Sequence, residues 1–222
     1  MNIETDRNNI RNEGFCLVVE SKTPSPIVIS VPHDGLSGGV LSGLLSVREK
    51  GMILKDSNVW PIAKDILMTC PANAVQGLIP RDFVDYNRSY EKALEDKALR
   101  GSYDSYHRNI GHLLQTAIRN HGKRRCLLLD IHGFGIQPRY APSEGYDIIL
   151  GTNNRSSIHF DDVDREMAGY LSDLGYRVFL PAEMPVDRRL DSLNGGYTNR
   201  RYSGEFGING IQIEIARKFR TK

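Results

Sequence analysis

The chain has 222 residues, of which 40% are hydrophobic and 25% are charged, the ordinary balance of a globular protein. The formal net charge is only +2 and the basic residues are scattered, so the sequence does not favour nucleic acid as a partner. Three cysteines without a CxxC pair argue against a disulfide framework, and no apolar stretch is long enough to span a membrane. The polar first residues contain no apolar signal region, so we expect a cytoplasmic protein.

Strand and helix patterns alternate along the whole chain, after a polar stretch at 1–13 that we expect to be a frayed leader or a loosely attached edge. The predicted strands are 14–21, 27–31, 74–78, a central strand from Cys126, 146–150, 176–180 and 210–216. The predicted helices are 56–67, 103–121 and 161–174, and a long polar loop is predicted at 185–203. This alternation predicts one α/β domain over 1–222, with a mixed, mostly parallel sheet and helices on both faces.

Two of the apolar strands end in the same way, in histidine, aspartate and glycine. One is the stretch 27–35, which contains His33, and the other is 126–135, which contains Asp130 and His132. Side chains two apart on a strand share a face, and open α/β sheets place ligand sites at the carboxyl ends of their strands. Either stretch alone also fits a capping aspartate beside a partly buried histidine. Together they predict two converging histidines and a metal.

A catalytic zinc takes three protein ligands and leaves one position for water. His33 and His132 supply two ligands. Three aspartates are candidates for the third. Asp34 would point elsewhere on an extended chain, and Asp130 is equally suited to orienting His132. Asp56 follows a loop and is free to reach in, although capping the next helix is its alternative role. We take Asp56 as the third ligand.

Glu214 lies on a strand otherwise made of isoleucines, with Gln212 on the same face. A buried carboxylate is costly unless it has a partner or a function, so Glu214 is a candidate general base beside an activated water. The alternative is a carboxylate on the solvent face of an edge strand.

Several other polar residues are candidates for holding a substrate. Arg81 precedes an aromatic segment and Asn87–Arg88 follow it, and guanidinium groups bind carboxylates and polarise carbonyls. Arg200 follows a glycine pair in the predicted polar loop. A solvated surface position is the alternative for the arginines. His107 lies one turn into a predicted helix, where packing is the alternative to a site contact.

These pieces, in this order, resemble the N-formylglutamate amidohydrolase family. The motifs that carry the resemblance are 30–35 (SVPHDG), 56–60, 84–88 (VDYNR), 106–107, 129–132 (LDIH), 150–152, 194–197 (NGGY) and 211–214 (IQIE). The resemblance implies a zinc-carboxypeptidase-like fold, related also to succinylglutamate desuccinylases. It implies zinc ligation by His33 and His132, Glu214 as general base, Arg81 as carbonyl polariser, Asn87 and Arg88 as a carboxylate clamp, and Arg200 as a second anion contact.

The predicted function is therefore metal-dependent hydrolysis of the amide bond of a small N-acyl amino acid such as N-formylglutamate. One zinc per chain would activate water, with Glu214 as the base. The expected partner is a small-molecule substrate that carries a carboxylate, not nucleic acid or a membrane. Two alternatives remain open: a peptidase or cell-wall amidase on the same scaffold, and a non-enzymatic α/β module that holds an anion on Arg88 and Arg200.

Overall fold

A computed structural model describes residues 7–35, 47–135, 145–183 and 193–221, which form one α/β domain around an eight-stranded mixed sheet. The strands are β1 (Asn8–Asn12), β2 (Cys16–Ser21), β3 (Ile27–Val31), β4 (Asn73–Gly77), β5 (Leu127–Phe134), β6 (Ile148–Gly151), β7 (Val178–Phe179) and β8 (Asn209–Ala216). The helices are α1 (Val59–Thr69), α2 (Tyr90–Ala93), α3 (Arg100–His121), α4 (Val163–Asp173) and α5 (Tyr197–Phe206). Among the described residues, no helix has both the length and the apolar character needed to cross a membrane.

The strand order is β1-β2-β4-β3-β5-β8-β6-β7, with a parallel centre. Strands β4, β3, β5 and β8 are parallel neighbours, whereas β1, β2 and β6 join by antiparallel pairing. Because β3 and β5 lie side by side and run in the same direction, their carboxyl ends meet at one edge of the sheet. This is how residues a hundred positions apart in the sequence come together there.

Helices cover both faces of the sheet, as the sequence predicts. On one face α3 and α5 pack on a core that includes Leu128, and on the other α1 and α4 pack on a core that includes Leu129. Consecutive leucines of β5 thus enter opposite cores, because side chains alternate along a strand. Each fully buried leucine stabilises the fold by roughly 1.5–3 kcal/mol.

Helix α1 is capped by Asp34, not by Asp56. The Oδ2 atom of Asp34 accepts a hydrogen bond from the backbone N–H of Trp60 at 2.8 Å, and Oδ1 accepts one from Asn58 at 3.3 Å. Asn58 reaches this position in a left-handed conformation, with φ of 62°. The capping role that the sequence offers for Asp56 is therefore taken by a residue from the end of β3.

The predicted loop over 185–203 is wrong in its last part. Residues 184–192 lie outside the described ranges, but Tyr197–Phe206 form α5, so Arg200 lies on a helix. The sequence shows little apolar periodicity here because buried polar residues carry the packing. The Asn199 amide is buried against the sheet at Gly210, where a Cβ atom would meet the Asn199 side chain.

Of the two alternatives predicted for residues 1–13, the structure shows the edge strand and not the frayed leader over residues 8–12. Asn8–Asn12 pair antiparallel with Leu17–Ser21 as the edge strand β1, while residues 1–6 lie outside the described ranges. Four of the five β1 residues are exposed, as fits an edge strand.

Candidate metal centre

Two histidines and one aspartate converge at the carboxyl edge of the sheet. His33 follows β3, His132 lies on β5, and Asp56 lies three residues before α1. The Nδ1 atoms of His33 and His132 lie 3.2 Å and 3.1 Å from the Oδ2 atom of Asp56. The backbone N–H of Asp56 also donates to the His33 carbonyl at 2.9 Å, which fixes the approach of the two segments. All three side chains are buried.

The other ring nitrogen of each histidine meets a second carboxylate. Nε2 of His33 lies 2.7 Å from Oδ1 of Asp85, and Nε2 of His132 lies 3.1 Å from Oδ2 of Asp130. A histidine that binds a metal generally donates its other ring N–H to a carboxylate or carbonyl, which orients the ring and raises its basicity. Both rings are therefore held so that Nδ1 faces the shared Asp56.

Asp130 has a further hydrogen-bond network of its own. The Ser30 hydroxyl donates to Oδ1 of Asp130 at 2.7 Å, and the Tyr106 hydroxyl lies 2.7 Å from Ser30 Oγ. Asp34 caps α1. Of the three aspartates left open by the sequence, Asp56 is thus the one that lies between the two Nδ1 atoms.

The three donors fit a zinc ion. Zinc–nitrogen and zinc–oxygen bonds of about 2.0–2.2 Å in tetrahedral geometry hold neighbouring ligand atoms roughly 3.3 Å apart. Here one ligand atom from each of His33, Asp56 and His132 lies within 4.8 Å of the others, and the histidine–aspartate distances are 3.1–3.2 Å. Two imidazoles and one carboxylate are also the donor types that catalytic zinc sites use.

The electrostatics keep two of these carboxylates ionised. Burial alone would raise the pKa of Asp56, but hydrogen bonds from His132 and His33 hold it well below its usual range. Burial would likewise raise the pKa of Asp85, and the charge of His33 and of nearby arginines lowers it strongly. For His132, burial would lower the pKa, but the charge of Asp130 raises it well above its ordinary value.

Glu214 lies directly beside this cluster. It is the register partner of His132 on the adjacent parallel strand, and β8 is an inner strand between β5 and β6. The residue is only 5% exposed, so the alternative of a solvent-facing carboxylate on an edge strand is wrong. Burial raises the pKa of Glu214, and the nearby charge of His132 opposes that shift.

Three arginines surround Asp85. Arg81 Nε lies 3.4 Å and Arg88 Nε 3.1 Å from Asp85 Oδ2, and an Arg81 terminal nitrogen lies 3.5 Å from Asp56 Oδ1. The Arg81 side chain is 14% exposed and that of Arg88 is 39% exposed, so Arg88 is the more accessible of the two. Arg48 is buried and donates to the backbone carbonyls of Lys50, Met52 and Arg81.

Asp85 and Arg48 are the two members of the site that sequence reasoning missed. Asp85 stands inside the VDYNR motif, so a carboxylate flanked by two arginines was a signal that could have found it. The local sequence does not mark Arg48, because two of its carbonyl acceptors, Lys50 and Met52, belong to the neighbouring backbone and its ion-pair partner Asp85, 3.5 Å away, lies 37 residues further along the chain.

Asn87 adjoins the histidine cluster. Its Oδ1 atom accepts from the Thr198 backbone N–H at 2.8 Å, and its Nδ2 atom lies 3.2 Å from His132 Nε2. Arg200 lines a different cavity of about 280 Å³, together with Asn153, Asn154, Ser156 and Asn194.

His107 lies in the floor of a cavity of about 860 Å³ between α3 and α5. Its Nδ1 atom lies 3.0 Å from the Tyr202 hydroxyl. His107 and Arg200 thus line two separate cavities. Neither cavity is lined by His33, Asp56 or His132.

Comparisons with known proteins bear on the family and the fold of the chain. A family model described as N-formylglutamate amidohydrolase matches residues 63–220, a range that includes His132 and Glu214. A crystal structure of N-formylglutamate amidohydrolase from Ralstonia eutropha JMP134 is similar at 15% identity with a TM-score of 0.65, covering 92% of this chain and 86% of that one.

The structure of gene product Atu2144 from Agrobacterium tumefaciens is similar at 16% identity with a TM-score of 0.58, covering 96% of this chain and 84% of that one. At such identities the two structures support the fold. No curated protein matches the chain significantly. The family match covers well over half of the sequence and confirms the resemblance carried by the motifs: the chain belongs to the N-formylglutamate amidohydrolase family.

Proposed function

We propose that this member of the family hydrolyses the amide bond of a small N-acyl amino acid, with N-formylglutamate as the first candidate. The observation that carries the proposal is the convergence of the His33 and His132 Nδ1 atoms on Asp56 Oδ2, beside the buried Glu214. In this proposal the three residues hold one zinc ion per chain. Bound zinc supplies Lewis acidity, which acidifies water and polarises a carbonyl group.

Glu214 is the proposed general base and, later, the general acid. As a carboxylate it takes the proton of the attacking water, and it then delivers that proton to the leaving amine nitrogen. Burial raises the pKa of Glu214, which makes its carboxylate a stronger base and so favours the first of these two proton transfers. Burial excludes competing solvent from this exchange.

The arginines around Asp85 are the proposed substrate contacts. Arg81, beside Asp56, polarises the acyl carbonyl, and removing one such donor typically costs about 3–4 kcal/mol of transition-state stabilisation. Arg88, with its partly exposed side chain, clamps the substrate carboxylate. Asn87 lies beside His132 and contributes an amide to the same clamp. Arg200 and His107 stay predicted substrate contacts.

The test is a substrate panel on the zinc-loaded chain. N-formyl, N-acetyl and N-succinyl derivatives of glutamate, aspartate and leucine are compared with short peptides, by detecting the released amine. The proposal expects turnover of an N-acyl amino acid with an acidic side chain, lost after chelation and restored by zinc. Turnover of peptides alone, or turnover that is unchanged in the chelated protein, would overturn it.

A further inference from the structure

The side chain of Gln212 lies between the proposed base and a glycine loop. Gln212 and Glu214 are two apart on β8 and share one face of the sheet, and both are buried. The Gln212 Nε2 atom donates to Oε1 of Glu214 at 2.6 Å. On its other side, Gln212 Oε1 accepts a hydrogen bond from the backbone N–H of Gly196.

The Gly196 contact decides which way the glutamine amide points. A side-chain amide has an acceptor oxygen at one end and a donor nitrogen at the other. A backbone N–H can only donate, so it requires the oxygen of Gln212 to face Gly196. The NH₂ group must then face Glu214, and a carboxylate is the acceptor that suits it.

Two glycines, Gly151 and Gly195, leave the space that the contact between Gln212 and Gly196 needs. Gly151 is the register partner of Gln212 on β6, and a Cβ atom there would meet the backbone of Leu193, Asn194 and Gly195. Gly195 has a φ of 94°, a left-handed conformation that suits glycine. The absence of side chains at Gly151 and Gly195 therefore lets the loop lie on the sheet within reach of Gln212.

We infer that Gln212 is a positioning residue that acts through Glu214. By binding Oε1 it fixes the rotation of the carboxylate and leaves Oε2 for the proton of the attacking water. The inference rests on the proposed function, since it assigns Gln212 a part in the same reaction. It also links the loop that precedes α5 to the base, because Gly196 sets the amide orientation.

The test is a double-mutant cycle with Gln212→Met and Glu214→Gln. Methionine keeps the length of the side chain and removes both hydrogen bonds. We expect Gln212→Met to lower kcat roughly 10- to 100-fold, as for a misplaced catalytic group, with KM changed less than about threefold and zinc content unchanged. In the Glu214→Gln background, assayed at high enzyme concentration, the same substitution should have little further effect, because it acts through the missing carboxylate.

Asn209→Leu is the matched control. Asn209 is a buried amide on the same strand that bonds to the backbone of His159 and Phe160 at the opposite end of the sheet. This variant should lower the free energy of unfolding and leave kcat per folded molecule within about twofold. An equal loss of kcat from Gln212→Met in both backgrounds would overturn the inference and leave the proposed function standing.

Crystal structures of the wild type and of Gln212→Met supply a readout that needs no activity. The inference expects Glu214 to bond to Gln212 in the wild type and to rotate or adopt two conformers in the variant. An unmoved Glu214 carboxylate would contradict it. A wild type without amidohydrolase activity would refute the proposed function, while these structures would still decide the role of Gln212.

Discussion

His132 on β5 lies directly opposite Glu214 on β8, and the two side chains share one face of the sheet. The proposed zinc ligand and the proposed base are thus held by neighbouring central strands and not by mobile loops. Their separation is set by strand spacing and register, which a side-chain substitution does not alter. The base can therefore be removed without disturbing the ligand.

Glu214→Gln tests that separation of roles. We expect the variant to fold, to keep its zinc and to lose about 10²- to 10⁴-fold in kcat, the usual contribution of a positioned acid–base group. Steady-state kinetics combined with elemental analysis of the same sample measures both properties. Turnover within tenfold of wild type would remove Glu214 from the role of base.

Arg88→Met tests the carboxylate clamp. The Arg88 side chain is 39% exposed and contacts Asp85 through Nε at 3.1 Å. Loss of a contact that binds ground state and transition state equally should raise KM about 10- to 100-fold and leave kcat within a few-fold. Arg119→Met is the matched control, since Arg119 is an exposed arginine on α3 that donates to the Thr116 hydroxyl. A similar change in KM in both variants would show that the effect is non-specific.

The substitution Gly133→Ala tests the packing next to His132. A Cβ atom at this position would meet the guanidinium of Arg220, which is bonded to the carbonyls of Ser57, Phe134 and Ile215 and cannot move aside. Gly133→Ala should therefore lower the free energy of unfolding by about 1–3 kcal/mol, measured by denaturant titration.

Gly169 in α4 is the matched glycine, because nothing lies within 4 Å of a Cβ atom there. Gly169→Ala should stabilise the chain by up to about 1 kcal/mol, since alanine is the better helix former. Equal changes in the two alanine variants would refute the steric argument for Gly133.

The buried imidazole of His107 leads us to expect that the stability of the fold depends on pH. Burial, together with the charge of Arg201, lowers the pKa of His107 from 6.5 to about 3. Between these pH values the unfolded chain binds the proton and the folded chain does not, so the free energy of unfolding falls as the pH falls from 6.5 towards 3. The slope from this one group is at most about 1.4 kcal/mol per pH unit.

His107→Gln should reduce that slope, whereas Gln115→Ala, at an exposed position of the same helix, should leave it unchanged because it removes no titrating group. Denaturant titrations at several pH values between 4 and 7 compare the three proteins. If His107→Gln showed the full wild-type slope, the lowered pKa would not be the cause.

The sequence predicts the parts of this structure that depend on the pattern of apolar and polar residues within a short segment. The run 27–31 and the leucines before Asp130 predict buried strands, and their polar ends predict converging His33 and His132. A carboxylate among the isoleucines of 210–216 predicts a buried Glu214, and the structure places it on an inner strand.

The parts that the sequence does not predict depend on contacts between distant segments. Asp34 rather than Asp56 caps α1 because the end of β3 lies against that helix, 24 residues away in the chain. Arg48 enters the site through the distant carbonyl of Arg81 and the carboxylate of Asp85, and neither contact leaves a pattern around residue 48. The sequence of α5 resembles a loop because its packing against Gly210 uses the polar Asn199 and not an apolar stripe.

The measurement that tests the central claim most directly is the zinc content of the purified chain by elemental analysis. It is made on the wild type, on Asp56→Ala and on Asp34→Ala after equilibration with zinc and removal of the excess. We predict about one zinc per chain in the wild type, loss of zinc in Asp56→Ala, and retention in Asp34→Ala, which loses only the cap of α1. A wild type that binds no zinc, or an Asp56→Ala variant that keeps it, would contradict a zinc centre built by His33, Asp56 and His132.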